Sequence, residues 1–363
     1  MGCMMRQIRL AKPWITDAEK QAVLDVMDSG WLTEGEKVAE FEEVVAKFVG
    51  VKHAIAVPNA TLGLSVAIAS VDHRIHGVVA VSAFTHPATA LAAHREHMQV
   101  KLFDVSECDG NTTGQHVAEC CDRFRPDVIV PVSWGGTALE EDVYLNARAY
   151  CVPVIEDCAC GLGAINSSGQ NAGSQALVSV LSFHPRKLIT TCEGGMVLTN
   201  DDDIAEYIRK TKNFSGPVGT NLKMSDINAA VGVAQMDRIY ELISDRVVKA
   251  RLYNSLLRDA GLPAWYRPTS GDQRSVYQSY CVLVDHRDRL IVDLAALGIE
   301  TQIGTYDLSV DPRWSHSFHS LYIQHSHLLG DRLLTLPLHH EITEEDQEFV
   351  VESIVSLLKS YEV

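Results

Sequence analysis

A single lysine, Lys187, stands between two apolar runs of the sequence, residues 176–183 and residues 196–199. Both runs read as buried strands, so the pattern predicts two strands joined by a turn, with the lysine held between them. The amine of a lysine in such a place can be desolvated, which favours its neutral form. A neutral amine attacks carbonyl groups to form a Schiff base. An ordinary surface lysine in a hairpin has the same local pattern, and that alternative stays open here.

A second stretch, PNATLG at residues 58–63, lies between a predicted strand and a predicted helix. Its small residues expose backbone N–H groups at a helix N-terminus, which is a suitable place for a phosphate or another anion. Thr61 adds a hydroxyl group. A helix cap by Asn59 is the structural alternative. The stretch is not a nucleotide-binding P-loop, because no Gly-Lys-Ser or Gly-Lys-Thr follows it.

An acidic pair, Glu156 and Asp157, follows the buried run at residues 153–155. A carboxylate in such a place is costly unless it meets a cation or a hydrogen-bond donor. Together with the anion site and with Ser182 near Lys187, the acid indicates one cofactor. Pyridoxal 5'-phosphate (PLP) needs a lysine for its aldehyde, an acid for its pyridinium nitrogen and an anion site for its phosphate. A structural buried carboxylate is the alternative for Asp157.

The elements that must position these groups follow from the pattern of apolar residues. Strands are expected at residues 53–57, 77–82, 100–103, 128–132, 153–157, 176–183 and 196–199, and helices at residues 16–29, 38–48, 61–70, 87–94, 139–150 and 201–212. Continuous apolar runs are typical of parallel strands covered on both faces. Alternation of strands and helices predicts a doubly wound α/β domain with a mostly parallel central sheet. Ligands of such sheets bind at the carboxyl ends of the strands, where all three stretches fall.

The last third of the chain has a different pattern. A helical pattern without proline runs from residue 225 to about residue 260, residues 276–284 alternate like a half-buried strand, and residues 291–297 and 344–358 read as helices. A Thr16–Glu19 capping box is predicted at the opposite end of the chain, where the first helix begins. We expect a large domain at residues 1–240 and a smaller C-terminal α/β domain at residues 241–363.

Composition narrows the classes of partner. The net charge of -16 argues against nucleic acids and anionic membranes. No apolar run reaches the length of a membrane span, and the N-terminus lacks the apolar core of a secretory signal. The nine cysteines show no C-x-x-C pair or other zinc-ligand spacing. We therefore expect no metal, and reduced thiols in the cytoplasm.

The chain resembles the DegT/StrS type of sugar-nucleotide aminotransferase, within the fold-type-I PLP enzymes. The resemblance runs from about Ile8 to Leu358 and rests on five segments: ITDAEKQAVLDVMDSGWLTEG, HAIAVPNATLGL, PVIEDCACGLGA, SFHPRKLITTCEGGMVLTND and NLKMSDINAAVGVAQMDRI. The acid and lysine segments are the most specific of these. The resemblance implies a large PLP-binding domain like that of aspartate aminotransferase, followed by the smaller C-terminal domain.

The resemblance also implies roles for the residues at the predicted site. Lys187 would bind PLP covalently and later move protons, so it would be catalytic together with Asp157. Asp157 would pair with the pyridinium nitrogen of the cofactor. Ala60, Thr61 and Ser182 would hold its phosphate.

Three further positions follow from the resemblance. Asn221 would reach the phosphate site of the other subunit, which implies a homodimer with shared active sites. His86 stands where the family usually has an aromatic ring stacked on the cofactor, and a packed or capping histidine is the alternative. Cys160 stands where the family usually has a glutamine near the cofactor's phenolic oxygen, and filling of the core is the alternative.

The implied reaction is a two-step transamination. An amino acid, most often glutamate in this family, gives its amino group to the cofactor, which passes it to a keto group at C3 or C4 of a nucleotide-linked deoxy sugar. The candidates for binding the diphosphate are Arg6, Arg9, Arg209, Lys210 and Lys212. A cyclitol or amino-shikimate-type aminotransferase would share the motifs, and a PLP-binding regulatory protein without turnover is an alternative from another class. A nicotinamide dehydrogenase is disfavoured, because GLG at residues 161–163 lacks the third glycine of that fingerprint.

Overall fold

The computed structural model describes residues 7–71, 76–215, 219–262, 275–314 and 323–361. Within these ranges the strands are β1 (His53–Val57), β2 (Val78–Ser82), β3 (Gln99–Phe103), β4 (Val128–Val130), β5 (Ile155–Asp157), β6 (Val178–Ser182), β7 (Gly195–Thr199), β8 (Tyr280–Leu283), β9 (Gln302–Ile303) and β10 (Leu333–Leu336). The helices are α1 (Asp17–Ser29), α2 (Glu36–Val49), α3 (Ala60–Val71), α4 (Pro87–Arg95), α5 (Gly114–Phe124), α6 (Glu141–Ala149), α7 (Asp202–Lys212), α8 (Asp226–Met236), α9 (Ile239–Asp259), α10 (Arg287–Ala296), α11 (Gln324–Arg332) and α12 (Glu344–Tyr361). No helix of these ranges is long and apolar enough to cross a membrane.

Seven strands form the central sheet. Two groups, β1-β7-β6-β5 and β3-β2-β4, adjoin through parallel bridges from Ile129 to Val154 and from Val132 to Asp157. The pairings within and between these groups are parallel except those of β7, which is antiparallel to both β1 and β6. The predicted α/β class with a mostly parallel sheet is therefore confirmed.

Helices bury both faces of this sheet. Along β1, Ile55 packs in one hydrophobic core with Leu64 of α3, whereas its neighbour Ala56 packs in a second core with Phe41 of α2. Successive side chains of a strand point to opposite faces. A strand buried on both sides therefore needs apolar residues at every position, which explains the continuous apolar runs.

Short polar signals fix the helix ends. Thr16 caps α1, and the predicted capping box with Glu19 is present. The expectation of one long helix at residues 225–260, however, is wrong, because α8 and α9 are separate helices. Arg238 lies at the break with φ -120° and ψ 22°. Its Nη2 donates to the Trp14 carbonyl at 2.6 Å and its Nε to Glu19 Oε1 at 3.1 Å, so contacts with the N-terminal segment hold the break.

The C-terminal part has its own antiparallel sheet in the order β8-β10-β9. Tyr253 of α9, Leu290 of α10 and Ile354 of α12 share a third hydrophobic core with the strand residue Leu334. Ile8 also packs in this core, so the N-terminal segment lies against the C-terminal part. A domain boundary near residue 240 stays a prediction.

Candidate active site

A cavity of about 350 Å³ lies at the carboxyl ends of the central strands. Seven of the predicted site residues line it: Ala60, Thr61, His86, Asp157, Cys160, Ser182 and Lys187. Asn221 does not line this cavity. It is exposed, and its Oδ1 accepts a hydrogen bond from the Lys223 backbone at 3.4 Å.

Lys187 lies in the connection between β6 and β7. These strands pair antiparallel, with Ser182 opposite Gly195, as the strand-turn-strand pattern predicted. The Lys187 backbone N–H donates to the His184 carbonyl at 2.8 Å. Its Nζ donates to Cys160 Sγ at 3.1 Å. The lysine is therefore a partly buried amine inside the cavity, and the alternative of an ordinary surface residue does not describe it.

The predicted anion site lies where α3 begins. Asn59 Oδ1 accepts from the Leu62 N–H at 2.9 Å, so the capping alternative is realised there. The first N–H groups of a helix have no partner within the helix, and Ala60 and Thr61 line the cavity. Gly195 allows β7 to approach this turn, because a Cβ at that position would lie 2.8 Å from the Ala60 nitrogen.

Asp157 lies at the carboxyl end of β5 and is only 5% exposed. Its Oδ2 accepts from Thr89 Oγ1 at 2.7 Å, and its Oδ1 accepts from the Ala159 N–H at 3.2 Å. Among the described residues, no cationic side chain forms an ion pair with it. Thr89 was missed by the sequence, because nothing in α4 indicates that its hydroxyl reaches a carboxylate on another strand.

The neighbouring acid, Glu156, points to the opposite face of the sheet and is fully buried. Its carboxylate accepts from Ser133 Oγ at 2.5 Å, Tyr144 OH at 2.9 Å and the Gly173 N–H at 3.1 Å. Burial raises the pKa of Glu156, although these hydrogen bonds oppose the rise. Of the two acids, Asp157 is the one that faces the cavity.

His86 lines the cavity and also caps α4. Its Nδ1 accepts from the Ala88 N–H at 3.2 Å, and its ring meets that of Tyr306 edge-on with 5.6 Å between centroids. Burial lowers the pKa of His86, and the nearby charge of Lys187 lowers it further. A neutral imidazole is required for the cap, since only an unprotonated Nδ1 can accept.

Among the described residues, two arginines that the sequence did not single out also line the cavity: Arg186 and Arg246. Arg186 directly precedes Lys187, and this adjacency is the signal in the sequence that points to it. Arg246 lies on α9, far from every motif in the sequence, so no local signal points to it.

The diphosphate candidates among the described residues do not line this cavity. Arg209 pairs with Glu42, Lys210 pairs with Glu206, and the buried Lys212 pairs with Glu34 and donates to the Ala56 carbonyl at 2.9 Å. These side chains are bound within the fold and do not line this cavity, and a role for them in binding the diphosphate stays a prediction. Arg9 does not line the cavity either, and Arg6 lies outside the described residues.

Comparison with known proteins supports the resemblance over the full length. The model of the DegT/DnrJ/EryC1/StrS aminotransferase family matches residues 13–355. GDP-perosamine synthase of Caulobacter vibrioides is 31% identical over 97% of this chain and 98% of that protein. A Campylobacter jejuni relative, UDP-4-amino-4,6-dideoxy-N-acetyl-beta-L-altrosamine transaminase, is 27% identical over 95% of this chain and 96% of that protein.

Solved structures give the same result for the fold. The aminotransferase TlmJ from Streptoalloteichus hindustanus superposes with a TM-score of 0.91 and is 26% identical. The match covers 98% of this chain and 100% of TlmJ. The predicted fold therefore agrees with that of a solved aminotransferase.

Proposed function

Because the chain belongs to the DegT/DnrJ/EryC1/StrS aminotransferase family, we propose that it moves an amino group from an amino acid to a keto group of a nucleotide-linked sugar, with PLP as cofactor. The observation that carries the proposal is the meeting of three groups in one cavity: the amine of Lys187, the carboxylate of Asp157 and the N-terminus of α3. These groups come from three separate elements of the fold.

The donors and acceptors of the cavity fit PLP. Asp157 keeps hydrogen-bond donors on its carboxylate but has no ion-pair partner among the described residues, so it can accept a protonated ring nitrogen. The N–H groups at Ala60 and Thr61, with the Ser182 hydroxyl, suit a phosphate. Bound in this way, the cofactor would supply an electron sink for the carbon that loses its proton.

Each of the chain's residues at this site would then have a separate role. Asp157 would stabilise positive charge on the ring nitrogen, and Thr89 would fix the orientation of its carboxylate. Lys187 Nζ would take a proton from the substrate carbon that bears the amino group and return it to the aldehyde carbon of the cofactor. Asp157 ends β5, and Lys187 lies in the connection that follows β6; both strands are almost entirely buried.

The choice of a nucleotide-linked sugar as acceptor rests on the relatives. One is named for a GDP-linked amino sugar and one for a UDP-linked amino sugar, and both match nearly the whole chain. The donor in our proposal is glutamate. We also propose a homodimer in which the exposed Asn221 of one subunit reaches the phosphate site of the other.

A product assay tests this function. Purified protein with PLP and glutamate is offered keto-sugar nucleotides linked to GDP, UDP and TDP, with scyllo-inosose as a cyclitol comparison. We expect 2-oxoglutarate and an amino-sugar nucleotide, detected by mass spectrometry, from at least one nucleotide. Amination of scyllo-inosose alone would contradict the sugar-nucleotide assignment. An absorbance spectrum that no amino acid changes would contradict transamination.

A further inference from the structure

Arg246 is a positively charged residue that lines the cavity, and the transamination proposed above gives it no role. It projects from α9 and lines the cavity near Gln278. Its Nε donates to the Tyr277 carbonyl at 2.9 Å, and its Nη2 donates to the Gln278 carbonyl at 2.8 Å. Two backbone oxygens therefore fix one edge of the guanidinium, and the side chain is oriented before any ligand arrives.

The guanidinium has no anionic partner among the described residues. The adjacent Asp245 is bound instead to Lys249, and no hydrogen bond to Arg246 Nη1 occurs within the described part of the chain. Burial lowers the pKa of Arg246 to about 10, and the charge of Asp245 only partly opposes the change. A partly buried cation without a counter-ion is costly, and an oxyanion brought by a ligand would offset that cost.

The position of Arg246 relative to Lys187 limits which oxyanion fits. Gln278 accepts from Arg246 through its carbonyl, and its Nε2 donates to the Arg186 carbonyl at 2.6 Å. Arg186 directly precedes Lys187, and Cys160, which contacts Lys187, lines the same cavity as Arg246. The guanidinium thus lies at the same end of the cavity as the reactive amine.

We propose that Arg246 binds the α-carboxylate of the amino donor, an inference that rests on the transamination proposed above. The α-carboxylate is bonded directly to the carbon that reacts, so a cation close to the reactive amine suits it. The diphosphate of a sugar nucleotide is attached at C1, several bonds from a keto group at C3 or C4. The bidentate geometry of arginine and a carboxylate also gives the donor a fixed orientation.

Donor analogues test the assignment in the holoenzyme. Glutamate is compared with isoglutamine, in which the α-carboxylate is an amide, and with glutamine, in which the γ-carboxylate is an amide. For Arg246→Gln we expect kcat/KM for glutamate to fall at least about tenfold, the usual effect of losing a charged hydrogen bond. The preference of the enzyme for glutamate over isoglutamine should shrink by the same factor. Arg246→Lys should retain part of that preference.

Arg287 provides a matched control for a purely structural role. Like Arg246, it is held by backbone oxygens, those of Leu333 at 3.1 Å and Gly330 at 2.6 Å, but it is buried and does not line the cavity. Arg287→Gln should lower the unfolding temperature and leave the glutamate-to-isoglutamine preference unchanged. The same pattern in Arg246→Gln would overturn the proposal.

Two further measurements, of glutarate binding and of KM for the sugar nucleotide, complete the test. Titration calorimetry with glutarate, which cannot react, should show binding to the wild-type holoenzyme and at least about tenfold weaker binding to Arg246→Gln. Loss of that binding would support a carboxylate site even if the proposed turnover failed. An Arg246→Gln enzyme in which KM rises only for the sugar nucleotide would overturn the proposal in favour of a diphosphate site.

Discussion

The hydroxyl of Thr89 donates a 2.7 Å hydrogen bond to Asp157 Oδ2, so a side chain of α4 orients a carboxylate at the end of β5. Both groups are buried, where a hydrogen bond to a charged group is worth about 1.5–3 kcal/mol. This bond leaves other lone pairs of the carboxylate available to the protonated ring nitrogen of the proposed cofactor, PLP.

Thr89→Val tests this relationship, because valine keeps the shape and removes the donor. We expect kcat to fall about tenfold or more and PLP to be released more readily. Thr89→Ser, which keeps the hydroxyl, should remain within a few-fold of wild type. Steady-state kinetics and the PLP dissociation constant are the measurements, and equal losses in the two variants would contradict the role of the hydrogen bond.

His86 caps α4 and lines the cavity, and substitutions can separate the cap from the proposed contact with the cofactor. His86→Asn keeps an acceptor for the Ala88 N–H but removes the ring, whereas His86→Phe keeps a ring and removes the cap. We expect the phenylalanine variant to lose about 1 kcal/mol of stability while binding PLP well. The asparagine variant should keep its stability and bind PLP more weakly. Thermal unfolding of the apoprotein and PLP titration measure the two effects, and the reverse pattern would show that the ring does not face the cofactor.

Glu19 provides a pH test of the fold around the helix break. Burial alone would raise the pKa of Glu19, but hydrogen bonds from Thr16 and Gln235 outweigh it and lower the pKa from 4.5 to about 2. A depressed carboxylate pKa stabilises the folded state above the unfolded value, so this contribution is lost as the pH falls from about 4.5 towards 2.

Glu19→Gln should therefore destabilise the protein at neutral pH, by about 1–3 kcal/mol. The difference from wild type should shrink as the pH falls below about 4.5. Glu206→Gln, which breaks only the exposed pair with Lys210, should change stability by less than about 1 kcal/mol. Urea midpoints measured between pH 7 and pH 3 show whether the contribution of Glu19 to stability falls with pH. A pH-independent effect of Glu19→Gln would contradict this expectation.

Much of this architecture is readable in the sequence because the central strands are buried on both faces. Runs such as that of β1 contain apolar residues whichever face a position occupies, so a search for continuous apolar residues finds them. The antiparallel pairing of β7 with β1 leaves no such trace, since these two strands lie far apart in the sequence. Helix α5 was missed because it mixes polar, charged and cysteine residues.

The residues of the candidate site likewise fall into two groups, those that the sequence predicts and those that it does not. Asp157 ends β5, and Ala60 and Lys187 lie within five residues of the ends of β1 and β6, so their meeting at one edge of the sheet follows from the order of strands and helices. Thr89 and Arg246 enter the same cavity from helix positions that depend on packing between elements distant in sequence. The break at Arg238 is of this second kind, because its partners, Trp14 and Glu19, lie more than two hundred residues earlier.

A shared active site predicts complementation between defective subunits. Mixed dimers of Lys187→Ala and Asn221→Ala chains would hold one intact site each. A one-to-one mixture with free exchange should therefore recover about a quarter of the wild-type activity, since half of the dimers are mixed. Lys187→Ala mixed with Asp157→Asn is the control, because both residues line the cavity of one chain and no intact site can form. Equal recovery in both mixtures, or none despite subunit exchange, would contradict the shared site.

The central claim is that Lys187 is the amine that binds PLP covalently. Borohydride reduction of the PLP-loaded protein, followed by peptide mapping, tests it most directly. We predict a single pyridoxyl label on the peptide that contains Lys187, and no label in Lys187→Ala, which should still bind PLP noncovalently but have no transaminase activity. A label on another lysine, or a label retained in Lys187→Ala, would contradict the account.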